Sequence, residues 1–342
     1  MTEKETLYGK NPEELAALCA ELGLPRFAAR QIARWLYVRG TEDPMRMTDL
    51  AATARERLAA RFAPALSAPE RVSVSADGTK KYLFRTRHGH YVESAYIPDG
   101  ERATLCVSSQ AGCRMGCRFC ATGRQGLQES LPAAEILNQI VSLPERDRLT
   151  NLVFMGMGEP LDNPDQLLRT LSVITSEWGF GWSPTRVTVS TAGVVPQLRR
   201  FLDATKVHLA VSLHNPFREE RMEIMPVERA WPIAEVAAIL RGYDFTHQRR
   251  VSFEYIVLEG LNDSPRHIRG LSRLLDGIKC RINLIRFHRI PGSPYFSPDD
   301  EAMRRFRDAL TARGIQTTIR ASRGEDIQAA CGLLSTEALG SR

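Results

Sequence analysis

The sequence predicts an α/β protein built on a partial barrel of six strand–helix units, preceded by a small helical domain and a short β extension. From residue 103 onward, apolar strand candidates alternate with amphipathic helical stretches. These strands are apolar on both faces, which is typical of a parallel sheet covered by helices. Six units are too few to close an eight-fold barrel. We therefore expect a partial barrel that is open on one side rather than a doubly wound sheet.

The N-terminal part is predicted to be helical over residues 1–66. Asn11 is placed to cap the first helix, with Glu14 in the position of the acid of a capping box. Thr48 or Asp49 is the expected cap of the third helix. The stretch "APALSAPE" then reads as an exit linker, and two extended runs flank the turn "ADGTKK".

Six strand candidates follow, and a seventh lies after the last predicted helix. They are "TLCVSS", "NLVFMGM", "RVTVSTAG", "KVHLAVSLH", "VSFEYIVLEG", "RINLIRFH" and "IQTTIRAS". Polar clusters end four of these strands: "GMGEP", "STAG", "SLHN" and "RFHRIPG". Ligands bind at this edge of parallel α/β folds because the loops open there. The resulting division is 1–66 helical domain, 67–98 β extension, 99–326 core and 327–342 C-terminal tail.

Composition sets the broad class. The chain has 342 residues, 43% hydrophobic and 25% charged, with a net charge of +6. It shows no secretory signal at its start and no apolar run long enough to span a membrane, so we expect a cytoplasmic protein. No heptad pattern or flat apolar edge predicts an oligomer, so a monomer is expected. Seven cysteines, four of them between Cys106 and Cys120, favour a reduced metal or redox cluster over a disulfide framework.

One basic stretch, "DGTKKYLFRTRHGHY", alternates cations with aromatic rings. Such a mixture suits single-stranded RNA, because cations contact phosphates and rings stack on bases. The same pattern also describes a solvated strand pair with half-buried rings. Both interpretations stay open for this stretch. The residues concerned are Lys80, Lys81, Arg85 and Arg87, with Tyr82, Phe84 and Tyr91.

Three cysteines, Cys113, Cys117 and Cys120, lie within eight residues. A structural zinc site normally has four ligands, and His88 or His90 is the nearest candidate for the fourth. Spacing alone leaves zinc open. Three thiolates at this spacing also suit a [4Fe–4S] cluster that is held at three irons, with the fourth iron open to another ligand.

The motif Cys-x-x-x-Cys-x-aromatic-Cys, with Phe119 as the aromatic, resembles that of the radical S-adenosylmethionine (SAM) enzymes, whose open iron is chelated by SAM. Longer stretches narrow the resemblance to the adenine-C2 methyltransferases of 23S rRNA and tRNA. They are "VESAYIPDGERATLCVSSQAGCRMGCRFCATG", "LVFMGMGEPLDN", "VTVSTAGVVP", "VSLHNP" and "RASRGEDIQAACG". The resemblance covers nearly the whole chain.

This resemblance implies a radical mechanism that uses two SAM molecules per turnover. The first SAM methylates Cys331, and a 5′-deoxyadenosyl radical made from the second then removes a hydrogen from that methyl group. The resulting methylene radical adds to C2 of the base. Cys106 attacks to release the product and leaves a disulfide, and Glu93 is the base that removes the C2 proton. An electron donor of the flavodoxin or ferredoxin type is implied as a partner.

The resemblance also assigns SAM contacts and shows two departures. The implied contacts are Gly158, Glu159, Ser190, Ser212, Leu213, His214 and His288. His288 stands where the family usually has Asn, and an imidazole can accept or donate one hydrogen bond to SAM, whereas an amide offers both at once. Leu333 stands where Gln is common. Each contact also has an ordinary structural explanation, as a turn glycine, a cap or a satisfied polar group.

Two rival functions remain at this point. One is the sister family that methylates C8 of the same type of rRNA adenine. The other is a non-catalytic RNA-binding protein stabilised by zinc. Cys19 and Cys280 are expected to be buried apolar thiols without a role in either.

Overall fold

The computed structural model describes residues 5–245 and 251–336, so the predicted helical domain and C-terminal tail each extend into residues outside this part of the chain. Three helices come first: α1 (Pro12–Glu21), α2 (Ala28–Ala33) and α3 (Ala52–Arg61). A π-helical turn, Arg34–Val38, continues α2. Its Tyr37 packs edge-on against Trp178, which lies far along the chain.

The predicted cap of α1 is confirmed. The Asn11 side chain accepts a hydrogen bond from the Glu14 amide at 2.8 Å, and the Asn11 amide donates to the Glu14 carboxylate at 2.9 Å. The predicted cap of α3 is wrong. That helix starts after Ala51 without a side-chain cap, and the Asp49 carboxylate instead accepts from the Trp35 indole at 2.5 Å.

Twelve strands follow along the described chain, and ten of them form one sheet. In chain order they are β1 (Arg71–Val74), β2 (Lys80–Arg85), β3 (Tyr91–Asp99), β4 (Arg102–Cys106), β5 (Gln110–Ala111), β6 (Glu129–Ser130), β7 (Asn151–Phe154), β8 (Val187–Thr191), β9 (His208–Ser212), β10 (Val251–Val257), β11 (Cys280–Arg286) and β12 (Gln316–Ile319). Only β5 and β6 stand apart, as a two-stranded pair.

The large sheet has the order β1-β2-β3-β4-β7-β8-β9-β10-β11-β12. Its last seven strands are parallel, and they are the seven strands predicted from the sequence. This order follows the chain without reversal, whereas a doubly wound sheet reverses direction at its centre. The sequential order and the unpaired outer edges of β1 and β12 within the described chain confirm the open partial barrel over the doubly wound alternative.

Eight further helices connect the parallel strands. They are α4 (Ala121–Gln125), α5 (Ala133–Val141), α6 (Pro164–Thr175), α7 (Val195–Ala204), α8 (Arg218–Ile224), α9 (Ile233–Arg241), α10 (Pro265–Leu274) and α11 (Asp300–Thr311). Because strand–helix–strand crossovers are right-handed, a sequential strand order places the helices on one side of the sheet. The other side of the sheet is then left for ligands. None of the described helices has the length and apolarity needed to cross a membrane.

The β extension consists of three antiparallel strands, β1 to β3, that continue the sheet beyond β4. Tyr82 and Phe84 on β2 are buried in the core, so their rings are not available for base stacking. Lys80 forms an ion pair with Glu145 at 2.5 Å, whereas Arg85 and Arg87 are exposed. Of the two interpretations of this stretch, the structure favours the strand pair.

Candidate active site

The three-cysteine loop lies between β4 and α4, next to the carboxyl ends of the parallel strands. The Cys113 amide donates to the Gly126 carbonyl at 3.0 Å, and the Cys120 amide donates to the Cys117 carbonyl at 3.2 Å. Gly112 has φ +74°, and a Cβ there would lie 1.7 Å from the Gly126 oxygen. Glycine is therefore required at position 112 for the loop to close.

The three thiols share one poorly solvated environment. Burial raises the pKa of Cys113 to about 12. Burial also raises the pKa of Cys117 well above its usual value, and the neighbouring thiols of Cys120 and Cys113 raise it further. Burial is likewise the main cause of the raised Cys120 pKa. A cationic partner is needed to hold all three as thiolates, which is what a bound metal centre provides.

The donor set fits an iron–sulfur cluster better than a single ion. Within residues 5–245 and 251–336, no three His, Cys, Asp or Glu side chains are grouped as ligands of one metal ion. His88, a candidate fourth zinc ligand, lies with its Nδ1 2.5 Å from the Glu129 carboxylate. Three thiolates are too few for a closed structural zinc site, and they suffice for a cluster that is held at three irons.

A cavity of about 150 Å³ lies against the three thiols. Five of the seven predicted SAM contacts line it: Gly158, Glu159, Ser190, Ser212 and His214. The Leu213 side chain is instead buried in the core. Only the main chain of Leu213 is engaged nearby, where its carbonyl accepts from Arg221 Nε at 2.8 Å.

Glu159 is a buried carboxylate within this smaller cavity. Its Oε2 accepts a hydrogen bond from the Ala192 amide at 2.7 Å, and its Oε1 accepts from the Leu161 amide at 3.0 Å. Burial raises its pKa to about 7, against these two bonds and a third hydrogen bond from the Thr191 side chain. Each carboxylate oxygen can accept a second hydrogen bond, so Glu159 retains capacity for a cationic donor of a ligand.

His214 is fixed as a neutral hydrogen-bond donor. Its Nδ1 accepts from the Ile256 amide at 2.9 Å, which places the proton of the neutral ring on Nε2. Burial and the charge of Arg221 lower its pKa to about 3. The motif aromatic, Phe119, packs edge-on against this ring with centroids 4.7 Å apart, so the cysteine loop and the end of β9 are held together.

A larger cavity of about 350 Å³ adjoins the first, and both Cys106 and Cys331 line it. Cys331 also lines the smaller cavity. Burial, and after it the nearby Cys331 sulfur, raises the pKa of Cys106 to about 12. The structure therefore brings the two predicted catalytic thiols to one space. All seven cysteines, which lie in the described part of the chain, are free thiols there.

His288 lines this larger cavity and not the smaller one. Its Nε2 lies 3.2 Å from the Ser322 hydroxyl, and its Nδ1 lies 3.6 Å from the Glu325 carboxylate. Burial lowers its pKa. His288 is therefore held among polar groups of the tail side, away from the other predicted SAM contacts.

The tail that carries Cys331 is tied to the cysteine loop. The Ala121 amide donates to the Gly332 carbonyl at 2.8 Å, and the Thr122 hydroxyl donates to the Leu334 carbonyl at 2.6 Å. Leu333, one of the two departures from the family pattern, is half-buried and packs against the core. These bonds hold Cys331 at the boundary between the two cavities.

Glu93 is buried on β3 but lines neither cavity. Its carboxylate pairs with Lys81 at 3.0 Å and accepts from the Ser335 amide of the tail at 3.1 Å. Burial raises its pKa, and the Lys81 charge opposes that rise. Glu93 is thus linked to the cysteine tail rather than placed beside Cys106 or Cys331.

Three charged residues of the site were missed by the sequence analysis. Arg320 lines both cavities, and Glu254 lines the smaller one. Arg221 is fully buried against Glu228 and donates to the Ser212 carbonyl at 2.8 Å, which fixes the end of β9. A charged residue inside an otherwise apolar strand was the available signal for Glu254 in "VSFEYIVLEG".

Comparisons with known proteins agree with this geometry. The family model of the radical SAM superfamily matches residues 107–270, and that of the ribosomal RNA large subunit methyltransferase N-terminal domain matches residues 6–63. A probable dual-specificity RNA methyltransferase RlmN of Parabacteroides distasonis is 54% identical over 98% of each chain. The dual-specificity RNA methyltransferase RlmN of Syntrophus aciditrophicus is 41% identical over 96% of this chain and 95% of its own.

A solved structure gives the same result for the fold. The crystal structure of a radical SAM methyltransferase from Sphaerobacter thermophilus is similar with a TM-score of 0.89 and 42% identity, over 96% of this chain and 99% of that one. The comparisons confirm the radical SAM RNA methyltransferase family that the sequence resembles, and this catalytic class excludes a purely RNA-binding role. The chain belongs to the RlmN family, and it is a radical SAM-dependent RNA methyltransferase.

Proposed function

We propose that this protein methylates C2 of adenine in 23S rRNA, in the peptidyl-transferase region, and in tRNA, next to the anticodon. The relatives named above are dual-specificity RNA methyltransferases, and the long motifs of the sequence resemble the C2-specific family. The observation that carries the proposal is the placement of the two thiols: Cys331 borders both cavities, and Cys106 borders the larger one.

We propose that Cys113, Cys117 and Cys120 hold a [4Fe–4S] cluster. Gly158, Glu159, Ser190, Ser212 and His214 contact SAM in the adjoining cavity, with Leu213 contributing through its main chain. His288 joins them only by reaching across from the larger cavity. When bound, the cluster and two SAM molecules per turnover supply the methyl group and the hydrogen-abstracting radical. An electron donor of the flavodoxin or ferredoxin type is the expected reductant.

The roles proposed for the protein groups follow from the two cavities. Cys331 carries the methyl group as S-methylcysteine, because it borders both the cofactor side and the larger cavity. The methylene carbon would bond to C2 of the base. The adduct would then lose one electron, which the bound cluster would accept, and its C2 proton, which Glu93 would take. The Cys106 thiolate then attacks the Cys331 sulfur and breaks its bond to the methylene carbon. The electron pair of that bond stays with the methylene carbon, which takes a proton to become the methyl group of the product. A Cys106–Cys331 disulfide forms, and two external electrons reduce it.

The organisation proposed around this site is a monomeric cytoplasmic enzyme with four parts. Residues 1–66 form an accessory domain, 67–98 a β extension, 99–326 the radical SAM core and 327–342 the tail with the methyl-carrying cysteine. Glu14 of the accessory domain forms an ion pair with Arg169 of the core at 2.6 Å. This contact supports a fixed position of the accessory domain on the core.

The test is the position of the methyl group in the product. Reconstituted protein is incubated anaerobically with SAM, a reductant and either unmodified 23S rRNA or unmodified tRNA. The RNA is then digested, and 2-methyladenosine and 8-methyladenosine are separated by liquid chromatography and mass spectrometry. We expect only the C2 isomer from both substrates. The C8 isomer would instead assign the protein to the sister activity, and methylation of only one RNA would contradict dual specificity.

A further inference from the structure

We propose that Asp77 and Asp326 are positioning residues that clamp the C-terminal tail to the turn between β1 and β2, and so keep Cys331 at the cavity that it shares with Cys106. The inference rests on the proposed function, since it requires these two cysteines to form a disulfide. The clamp joins the turn "ADGTKK" to the tail stretch "RASRGEDIQAACG". Neither carboxylate takes part in the reaction steps proposed above.

Asp77 holds the tail from the side of the turn. Its Oδ1 accepts a hydrogen bond from the Thr79 amide at 2.9 Å, and its Oδ2 accepts from the Gly324 amide of the tail at 3.0 Å. An aspartate commonly bonds to the backbone two residues further on, which fixes its side chain within a turn. One oxygen of Asp77 therefore orients the carboxylate, and the other is available to hold the tail.

Asp326 completes the clamp from the side of the tail. Its Oδ1 accepts from the Ser75 hydroxyl at 2.6 Å, and its Oδ2 accepts from the Ala76 amide at 3.2 Å. The turn and the tail thus each supply one carboxylate to the other. Both aspartates are exposed, so each hydrogen bond alone is weak. The clamp depends on these bonds forming together.

The clamped segment of the tail leads directly to Cys106. Gly324 has φ +62°, and a Cβ there would lie 2.8 Å from Cγ2 of Thr79, so glycine is required where the tail meets the turn. The Ala329 amide donates to the Gly324 carbonyl at 2.8 Å, which folds the segment back on itself. Ala329 is buried in one small cluster with Ala95 and Cys106. The clamp therefore sets how the tail packs against Cys106.

Cys331 follows this segment and is held on both sides. It lies two residues after Ala329, and beyond it the carbonyls of Gly332 and Leu334 anchor the tail to the cysteine loop. Disulfide formation between two thiols of one chain depends on their effective concentration, which falls as the tether between them becomes longer or looser. Release of the clamp loosens the tether that precedes Cys331. The clamp thus favours attack of Cys106 on the Cys331 sulfur.

The test measures how readily the disulfide forms. Cluster-loaded wild type, Asp77→Asn, Asp326→Asn and Asp308→Asn, an exposed control on α11, are equilibrated anaerobically with mixtures of reduced and oxidised glutathione. In this exchange the two thiols are oxidised to the Cys106–Cys331 disulfide, and one glutathione disulfide is reduced to two glutathione thiols. After acid quenching and alkylation, mass spectrometry of the peptides gives the effective concentration of the two thiols.

The two asparagine variants should differ. We expect Asp77→Asn to lower the effective concentration about 10-fold, as for loss of a hydrogen bond to a charged group. Both groups that face Asp77 are amide donors, so no orientation of an asparagine accepts from both. Asp326→Asn should have a smaller effect, because its nitrogen can turn to Ser75 Oγ while its oxygen accepts from the Ala76 amide. Asp308→Asn should match wild type, and iron content should be equal in all four proteins.

Other outcomes separate the clamp from the proposed function. An unchanged effective concentration in Asp77→Asn, or equal losses in Asp77→Asn and Asp326→Asn, would overturn the clamp. A loss that comes with reduced iron content would also overturn it, because the aspartates would then act on the fold as a whole. Wild-type protein that holds iron but forms no Cys106–Cys331 disulfide at any glutathione ratio would contradict the proposed function itself. If Asp77→Asn does not fold, Ser75→Ala, which removes the hydroxyl donor to Asp326, must lower the effective concentration without loss of iron.

Discussion

The two adjoining cavities share Cys331, Arg320 and part of their walls, yet they differ in size and charge. The smaller, of about 150 Å³, holds the thiol loop and the carboxylates of Glu159 and Glu254. The larger, of about 350 Å³, is bordered by four arginines: Arg102, Arg286, Arg320 and Arg323. Carboxylates suit a cationic sulfonium ligand, whereas arginines suit RNA phosphates. The difference shows how one barrel end can separate a small cation from a polyanion, with Cys331 between them.

The largest effect is expected from removing one of the cysteines that are proposed to hold the cluster beside the smaller cavity. Cys117→Ala deletes one of three ligands, so we expect loss of iron loading and of SAM cleavage. Iron content and the release of 5′-deoxyadenosine measure the two effects. Cys280→Ala is the matched control, because Cys280 lies outside both cavities and should leave both unchanged. Full SAM cleavage by Cys117→Ala would contradict the cluster assignment.

Next, variants that lack one or the other thiol of the larger cavity should fail at different stages of the reaction. Cys331→Ala lacks the methyl acceptor, so neither the protein nor the RNA should become methylated, although the cluster remains. Cys106→Ala keeps the acceptor but cannot break its bond to the base, so protein should remain covalently attached to RNA. Denaturing gels with labelled RNA separate the two outcomes. A crosslink in Cys331→Ala, or efficient turnover by Cys106→Ala, would reverse the assigned roles.

A smaller effect concerns stability and pH. Burial raises the pKa of Glu159 from 4.5 to about 7, so folding favours its protonated form. The stability from this preference is fully present below about pH 4.5 and is lost as pH rises through about 7. The Glu159→Gln variant does not lose stability in this way, because its amide side chain does not ionise. Its free energy of unfolding, relative to wild type, should therefore increase from pH 5 to pH 7, by at most about 1.4 kcal/mol per pH unit.

Chemical denaturation of cluster-free protein at several pH values measures that difference. Glu301→Gln, an exposed carboxylate, serves as the control and should follow the wild-type curve. If Glu159→Gln and wild type keep a constant difference across this range, the carboxylate of Glu159 does not titrate in it.

The smallest expected effect lies outside both cavities, on the β extension. Arg85→Gln with Arg87→Gln should weaken RNA binding and reduce its salt dependence, by about one unit of slope for each phosphate that the protein no longer neutralises. Arg305→Gln with Arg313→Gln, exposed residues on and after α11, are the matched control. Fluorescence anisotropy at several salt concentrations provides the slopes. An unchanged slope would leave the arginines of the larger cavity as the sole proposed phosphate ligands.

Lys80 and Lys81 show why this test is restricted to the arginines. Each lysine is paired with a buried carboxylate, Glu145 or Glu93. Removing either lysine would leave a buried charge without its partner, which destabilises the fold. The four basic residues of this stretch look alike in the sequence, and only the structure shows that the two lysines are paired with buried carboxylates.

The sequence by itself determined the seven parallel strands, the cysteine loop and the polar residues at the strand ends that line the smaller cavity. Apolar strands are recognisable from a few consecutive residues, and the three thiols lie within one short segment, so local patterns were sufficient. Gly158, Glu159, Ser190, Ser212 and His214 follow strands whose ends meet at the same edge. Their convergence required only the rule that parallel strands align their carboxyl ends.

The tertiary structure alone decided which charges and thiols meet. Cys106 lies near the start of the core and Cys331 lies in the tail, and their shared cavity depends on how the tail docks on the cysteine loop. Glu254 faces its cavity because of strand register, and His288 lies apart from the other predicted SAM-binding residues because its loop turns towards Ser322. Such placements depend on long-range packing and on side-chain direction, and neither has a local pattern in the sequence.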